Sequence, residues 1–138
     1  MKIYFACSIT GGREFEPVYQ ALVAALLADG HDVLTAHLTK ATVAQDEGAL
    51  PPRYVYGRDV NWIQNCDVLI AEVSVPSHGV GYEIGYALNA GKRVICLYCE
   101  GRKVSKMITG NPHPNLSVQM YSDNSHAISL ARELLLVQ

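Results

Sequence analysis

The sequence predicts an α/β fold: a doubly wound, five-stranded parallel sheet with helices on both faces. Three observations lead there. Short apolar runs alternate with longer stretches of helical periodicity along the whole chain. One run, "DVLIAEV", is apolar on both faces, as a central parallel strand must be. Two glycine-containing loops, "CSITGGRE" and "SVPSHGVGYE", follow the first and third runs. Those are the strand ends where the ligand crevice of such a sheet opens, at its topological switch point.

The elements follow in order. "KIYFACS" (2–8) reads as a buried strand. "EFEPVYQALVAALLADG" (14–30) has helical spacing and stops at Asp29-Gly30. "HDVLTAH" (31–37) reads as the second strand. Residues 38–52, with Gly48 and a double proline, read as a long loop or short helix, a length that often carries function. "RYVYGRDVNWIQN" (53–65) suits a helix with Val55, Val60 and Ile63 on its apolar face. The strand "DVLIAEV" (67–73) and a helix ending at Ala90-Gly91 come next. "KRVICLY" (92–98) is the fourth strand, followed by a turn and a short helix, "VSKMITG". "LSVQMY" (116–121) is a weaker fifth strand, and "NSHAISLARELLLV" (124–137) is a terminal helix capped by Asn124 or Ser125.

Composition sets bounds on function. With 138 residues, 49% of them apolar and 17% charged, the chain is expected to form one domain over 1–138. A net charge of -2 offers no basic field for a nucleic acid polymer, so an anionic ligand must be met by local donors. No run reaches the roughly 18 apolar residues of a membrane span. Cys7, Cys66, Cys96 and Cys99 read as reduced thiols in a cytoplasmic protein. "CLYC" lies inside an apolar strand, so no metal site is expected.

The chemistry concentrates in the two loops. In "SITGGRE", Ser8, Thr10, Gly11 and Gly12 offer hydroxyls and close backbone approach at a helix start, which suits a phosphate or carboxylate. An ordinary tight turn would read the same way. In "PSHGVGYE", Ser77 and Gly79 form a second such loop, and Glu83 stands in the opening turn of the helix. A helix start would lower that carboxyl's pKa and keep it charged, as a cap or as a nucleophile. Asp59 lies mid-helix, where aspartate is a poor helix former, and would face Glu83 if that helix covers the crevice. Two carboxylates about a sugar carbon are the usual machinery of glycoside cleavage. Tyr4 reads either as a core aromatic or as a site residue. His37, at the end of the second strand, either meets a base or sugar or simply closes the strand. Glu72 reads as satisfied structure or crevice edge, not as a catalyst, and Trp62 as packing more than a stacking platform.

Taken together, "YFACSITGGRE", "RDVNWIQNCDVLIAEVSVPSHGVGYEIGYA", "KRVICLY" and "VSKMITG" resemble the 2'-deoxynucleoside 5'-monophosphate N-glycosidases, relatives of the nucleoside 2-deoxyribosyltransferases. The resemblance runs in order over nearly the whole chain. It implies a Rossmann-like (flavodoxin-like) sheet, a homodimer, no metal and no cofactor. The implied reaction releases free base and 2-deoxyribose 5-phosphate from a nucleotide substrate. Glu83 matches the nucleophile, Asp59 the carboxylate that assists base departure and water attack, and Tyr4 the tyrosine beside the nucleophile. Ser8, Gly11, Gly12, Ser77 and Gly79 match residues around phosphate and sugar, and Ser105 a serine reaching the phosphate from the neighbouring subunit. Thr10 stands where the animal enzymes of this family carry arginine, leaving Arg13, Lys106 or His78 to supply a cation. The rival expectations are base exchange by a deoxyribosyltransferase, cleavage of ribonucleotides, and a non-catalytic nucleotide sensor.

Overall fold

In the computed structural model, which describes residues 1–137, the alternating pattern resolves into five strands and six α-helices among the described residues. The strands are β1 (Lys2–Ala6), β2 (Asp32–Val33), β3 (Val68–Glu72), β4 (Arg93–Cys99) and β5 (Leu116–Tyr121). The helices are α1 (Glu16–Ala28), α2 (Val43–Gly48), α3 (Pro52–Asn65), α4 (His78–Asn89), α5 (Lys106–Thr109) and α6 (Asn124–Leu136). All pairings are parallel, in the order β2-β1-β3-β4-β5. The chain moves from β1 to one side, then crosses back to β3 on the other. The carboxyl ends of β1 and β3 therefore lie side by side, with Ala6 opposite Ala71.

Side-chain alternation divides the core between the two faces. Ile3, Phe5 and Ile70 pack under Leu22 and Leu26 of α1 and Ala131 and Leu135 of α6. Tyr4, Ala6, Leu69 and Ala71 pack under Ile63 of α3 and Val80, Ile84 and Ala87 of α4. Each fully buried leucine or isoleucine contributes about 1.5–3 kcal/mol of transfer free energy. β3 is buried at every position because it has helices on both sides.

Three expectations are corrected. The strand predicted over 31–37 is cut to Asp32–Val33. Its continuation is replaced by Thr35, whose hydroxyl donates to Phe5 O (2.7 Å) and accepts from Phe5 N (2.9 Å). A side chain thereby occupies the ladder position that a backbone would hold, and the chain turns into a 3-10 segment, Ala36–Thr39. His37 thus sits in that segment and not at a strand end. The terminal helix is capped one residue earlier than expected: Asp123, in extended conformation, accepts from His126 N at 2.8 Å. Finally, α4 starts at His78 on the Ser77 cap, so Glu83 falls in its second turn, not the first.

Candidate active site

The two loops predicted to converge do meet. A Cβ placed on Gly11 would come within 2.5 Å of Ser8 Oγ, 2.8 Å of Val75 Cγ1 and 3.3 Å of Pro76 O. Only glycine lets the first loop lie against the second so closely. Gly12 has φ +100°, which no other residue adopts without strain. Ser8 is buried and its Oγ accepts from Gly11 N at 3.2 Å, so it braces the loop from within. Thr10, Gly11 and Gly12 are exposed along the loop's outer side. Arg13 is turned back into the fold: it pairs with Glu16 at 2.6 Å and lies 5.9 Å from the Tyr19 ring centre.

On the second loop, Ser77 Oγ accepts from Val80 N at 3.3 Å and fixes the start of α4. The Glu83 carboxylate projects back along the helix over Gly79, with Oε1 at 3.6 Å from where a Cβ there would stand. A methyl group on Gly79 would touch that carboxylate at ordinary van der Waals distance. Burial pushes the Glu83 carboxyl up to about 7, with the negative charge of Asp59 adding to the rise. This overturns the expectation of a lowered value. The dipole acts within the first turn and is worth under about 1 kcal/mol, whereas burial can move a carboxyl by several pH units.

Tyr4 lies fully buried beneath these groups. Its hydroxyl has no hydrogen-bond partner within ordinary limits among the described residues. Burial and the neighbouring Glu83 and Asp59 charges drive its pKa far above the usual tyrosine value, so it stays protonated. Asp59, half-buried on α3, is also pushed up by burial, against the pull of Arg58, whose Nε donates to Oδ1 at 2.9 Å. His37 meets Trp62 edge to face at 5.6 Å, and burial with Arg58 nearby lowers its pKa. Tyr4, Asp59 and Glu83 therefore share one neighbourhood over β1, and His37 adjoins it through Asp59 and Trp62.

Ser105 stands apart from that neighbourhood. It is exposed at the start of α5, where its Oγ accepts from Met107 N at 3.2 Å. With Ser77, His78 and Lys103 it borders a cavity of about 620 Å³ on the other flank of α4, which neither Glu83 nor Asp59 lines. Glu72 lies on the opposite sheet face, fully buried, accepting from Ser74 N at 3.1 Å and from Tyr121 OH at 3.2 Å. Its reading as satisfied structure holds for one oxygen; Oε2 has no partner among the described residues. The sequence reading missed Arg58 and Glu47. The only local signal was an arginine next to Asp59, because Glu47 arrives from another helix.

Comparison with known proteins gives the chain's relatives in sequence and in fold. The family model for nucleoside 2-deoxyribosyltransferase matches residues 3–128. The chain is 42% identical over 112 residues to 5-hydroxymethyl-dUMP N-hydrolase of Rattus norvegicus, covering 78% of this chain and 68% of that one. It is 39% identical over 128 residues to the protein of the same name from Danio rerio, covering 90% and 89%. In fold it resembles a Clostridium botulinum CMP N-glycosidase, with TM-score 0.74 and 23% identity over 99% of this chain and 100% of that one.

Proposed function

The chain belongs to the nucleoside 2-deoxyribosyltransferase family, and we propose that it hydrolyses the N-glycosidic bond of 2'-deoxynucleoside 5'-monophosphates. The products are free base and 2-deoxyribose 5-phosphate. The observation that carries this reading is the meeting of Tyr4, Asp59 and Glu83 at the switch point, with the Glu83 carboxyl titrating at about 7. A carboxylate of raised pKa is a stronger nucleophile than an ordinary one and is ionised in half of the molecules at that pH.

The ionised oxygen of Glu83 attacks the anomeric carbon as the bond to the base breaks. The electron pair of that bond passes to the base, which takes a proton from Asp59 directly or through water. The transition state has oxocarbenium character, as in glycosides generally. Water, giving its proton to Asp59, then attacks the same carbon and frees Glu83. In this reading Tyr4, held protonated, steadies the Glu83 carboxylate, whose pKa it lowers. Thr10, Gly11, Gly12, Ser77 and Gly79 supply backbone and hydroxyl donors toward the sugar phosphate, with Ser8 bracing their loop. His37 borders the base.

The proposal includes a homodimer in which Ser105 reaches the neighbouring site. In its support, Tyr54, Tyr56, Tyr82 and Met107 are exposed on the face that carries α3, α4 and α5. A cytoplasmic location is supported by four free cysteines, three of them buried. Among the described residues no helix is long and apolar enough to cross a membrane.

The test is a product assay over deoxy- and ribonucleotides, with and without 5'-phosphate. Free base should appear from deoxynucleoside monophosphates, and Glu83→Ala should abolish turnover while the fold persists. Normal turnover by that variant would refute the assignment. Base exchange in the presence of a second free base would make the enzyme a transferase.

A further inference from the structure

The geometry points to Arg58 as the positioning residue of Asp59, and to Glu47 as the group that ties this pair to the short helix α2. The inference rests on Asp59 being the carboxylate that handles protons in the proposed reaction.

Arg58 is held on every side. Its Nη1 donates to Glu47 Oε2 at 3.0 Å, and Nη2 donates to Glu47 Oε1, a fork-to-fork pair. The guanidinium carbon lies 4.9 Å from the Trp62 ring centre and 6.0 Å from that of Tyr54. What remains is Nε, which donates to Asp59 Oδ1 at 2.9 Å. The side chains of Arg58 and Glu47 are each only 12% exposed, so little water competes for these bonds. Oδ1 is therefore committed to Arg58. Oδ2 has no hydrogen bond among the described residues, which leaves it to pass the proton to the departing base and to take one from water.

A guanidinium does not give up its proton in this range, so Arg58 acts only through Asp59. A lysine at this place could meet one carboxylate but not grip Glu47 with two parallel bonds while holding Asp59 with a third. Charge adds to geometry. Asp59 feels Arg58 on its own helix and His37 from the 3-10 segment, both lowering its pKa, and Glu47 from α2, which raises it. Across the site it faces the charge of Glu83 on α4 and the hydroxyl of Tyr4 on β1. Arg58 also lowers the Glu83 carboxyl. The cation thus holds down the titration of both carboxyls that burial drives up, and Glu47 moderates it.

The experiment compares Arg58→Met, Arg58→Lys and Glu47→Gln in the full chain. Two quantities are read: the titration of Asp59 by carboxyl carbon-13 NMR, and the limb of the kcat/KM pH profile that tracks it. In Arg58→Met both should move to higher pH by about one unit or more, as expected when an adjacent cation is lost. Arg58→Lys should recover part of that movement. In Glu47→Gln, which keeps Arg58 and a hydrogen-bonding partner for it, both should move to lower pH. An Asp59 titration unchanged in Arg58→Met would overturn the inference. So would movement in the same direction in Arg58→Met and Glu47→Gln, the mark of loosened α2 packing alone. The two readings fail separately: titrations that move as stated in a protein without hydrolysis would sink the glycosidase assignment alone. Hydrolysis with unmoved titrations would sink the role of Arg58 alone.

Discussion

Gly11 and Glu83 carry opposite lessons about what a single residue contributes. Gly11 is there for space: a methyl group at that position would meet Ser8 Oγ at 2.5 Å and Val75 Cγ1 at 2.8 Å. Gly11→Ala should therefore break the Ser8 brace and push the two loops apart while leaving the sheet intact. The expected result is a loss in kcat/KM of about a hundredfold, the usual consequence of displacing positioning groups by about 1 Å, with a near-native unfolding midpoint. Unchanged kcat/KM would mean that the first loop is not part of the site. Glu83 is there for reactivity, and its state is set by burial more than by the helix that presents it. A helix-dipole argument predicts the wrong sign, because its influence fades beyond the first turn while desolvation does not.

At the scale of elements, β2 shows how one hydroxyl redirects the chain. Thr35 takes both the N–H and the C=O of Phe5, so the strand ends after two residues and His37 is carried toward Trp62. Thr35→Val keeps the shape but leaves two buried backbone groups without partners. The expected cost is about 2 kcal/mol or more, read as a lower urea midpoint. An unaltered midpoint would show that water replaces the hydroxyl. The predicted loop or short helix at 38–52 is realised as α2. Its function is visible only once Glu47 is seen holding Arg58. Nothing in the spacing of Glu47 and Arg58 announces that contact, since the Pro51-Pro52 turn between them sets the approach of the two helices.

Over the whole molecule, the sheet separates two polar centres onto its two faces: the site with Glu83 and Asp59 on one, and buried Glu72 on the other. Glu72 and Ser74 stitch three strand ends together, Glu72 accepting from Tyr121 at 3.2 Å and Ser74 Oγ from Cys99 N at 2.8 Å. Burial raises the Glu72 pKa above the usual carboxylate value. A carboxyl raised by folding stabilises the protein below its unfolded pKa and loses that contribution as pH rises through the folded value. Glu72→Gln, which mimics the protonated form, should therefore be more stable than the parent at pH 8, with the difference shrinking toward pH 4. Urea midpoints across that range check it, and a difference independent of pH would rule it out. The sequence by itself determined the strand-helix alternation, the burial of the third apolar run and the two glycine loops at the switch point. It also carried the family resemblance that marks Glu83, Asp59 and Tyr4. Those follow from local periodicity, turn chemistry and motif, which a chain carries along its length. Only the tertiary structure decided that burial raises the Glu83 carboxyl to about 7, that His37 leaves the sheet, and that Glu47 and Asp59 bracket Arg58. Each of these depends on desolvation or on contacts between segments distant in sequence, and neither exists until the helices close over the sheet.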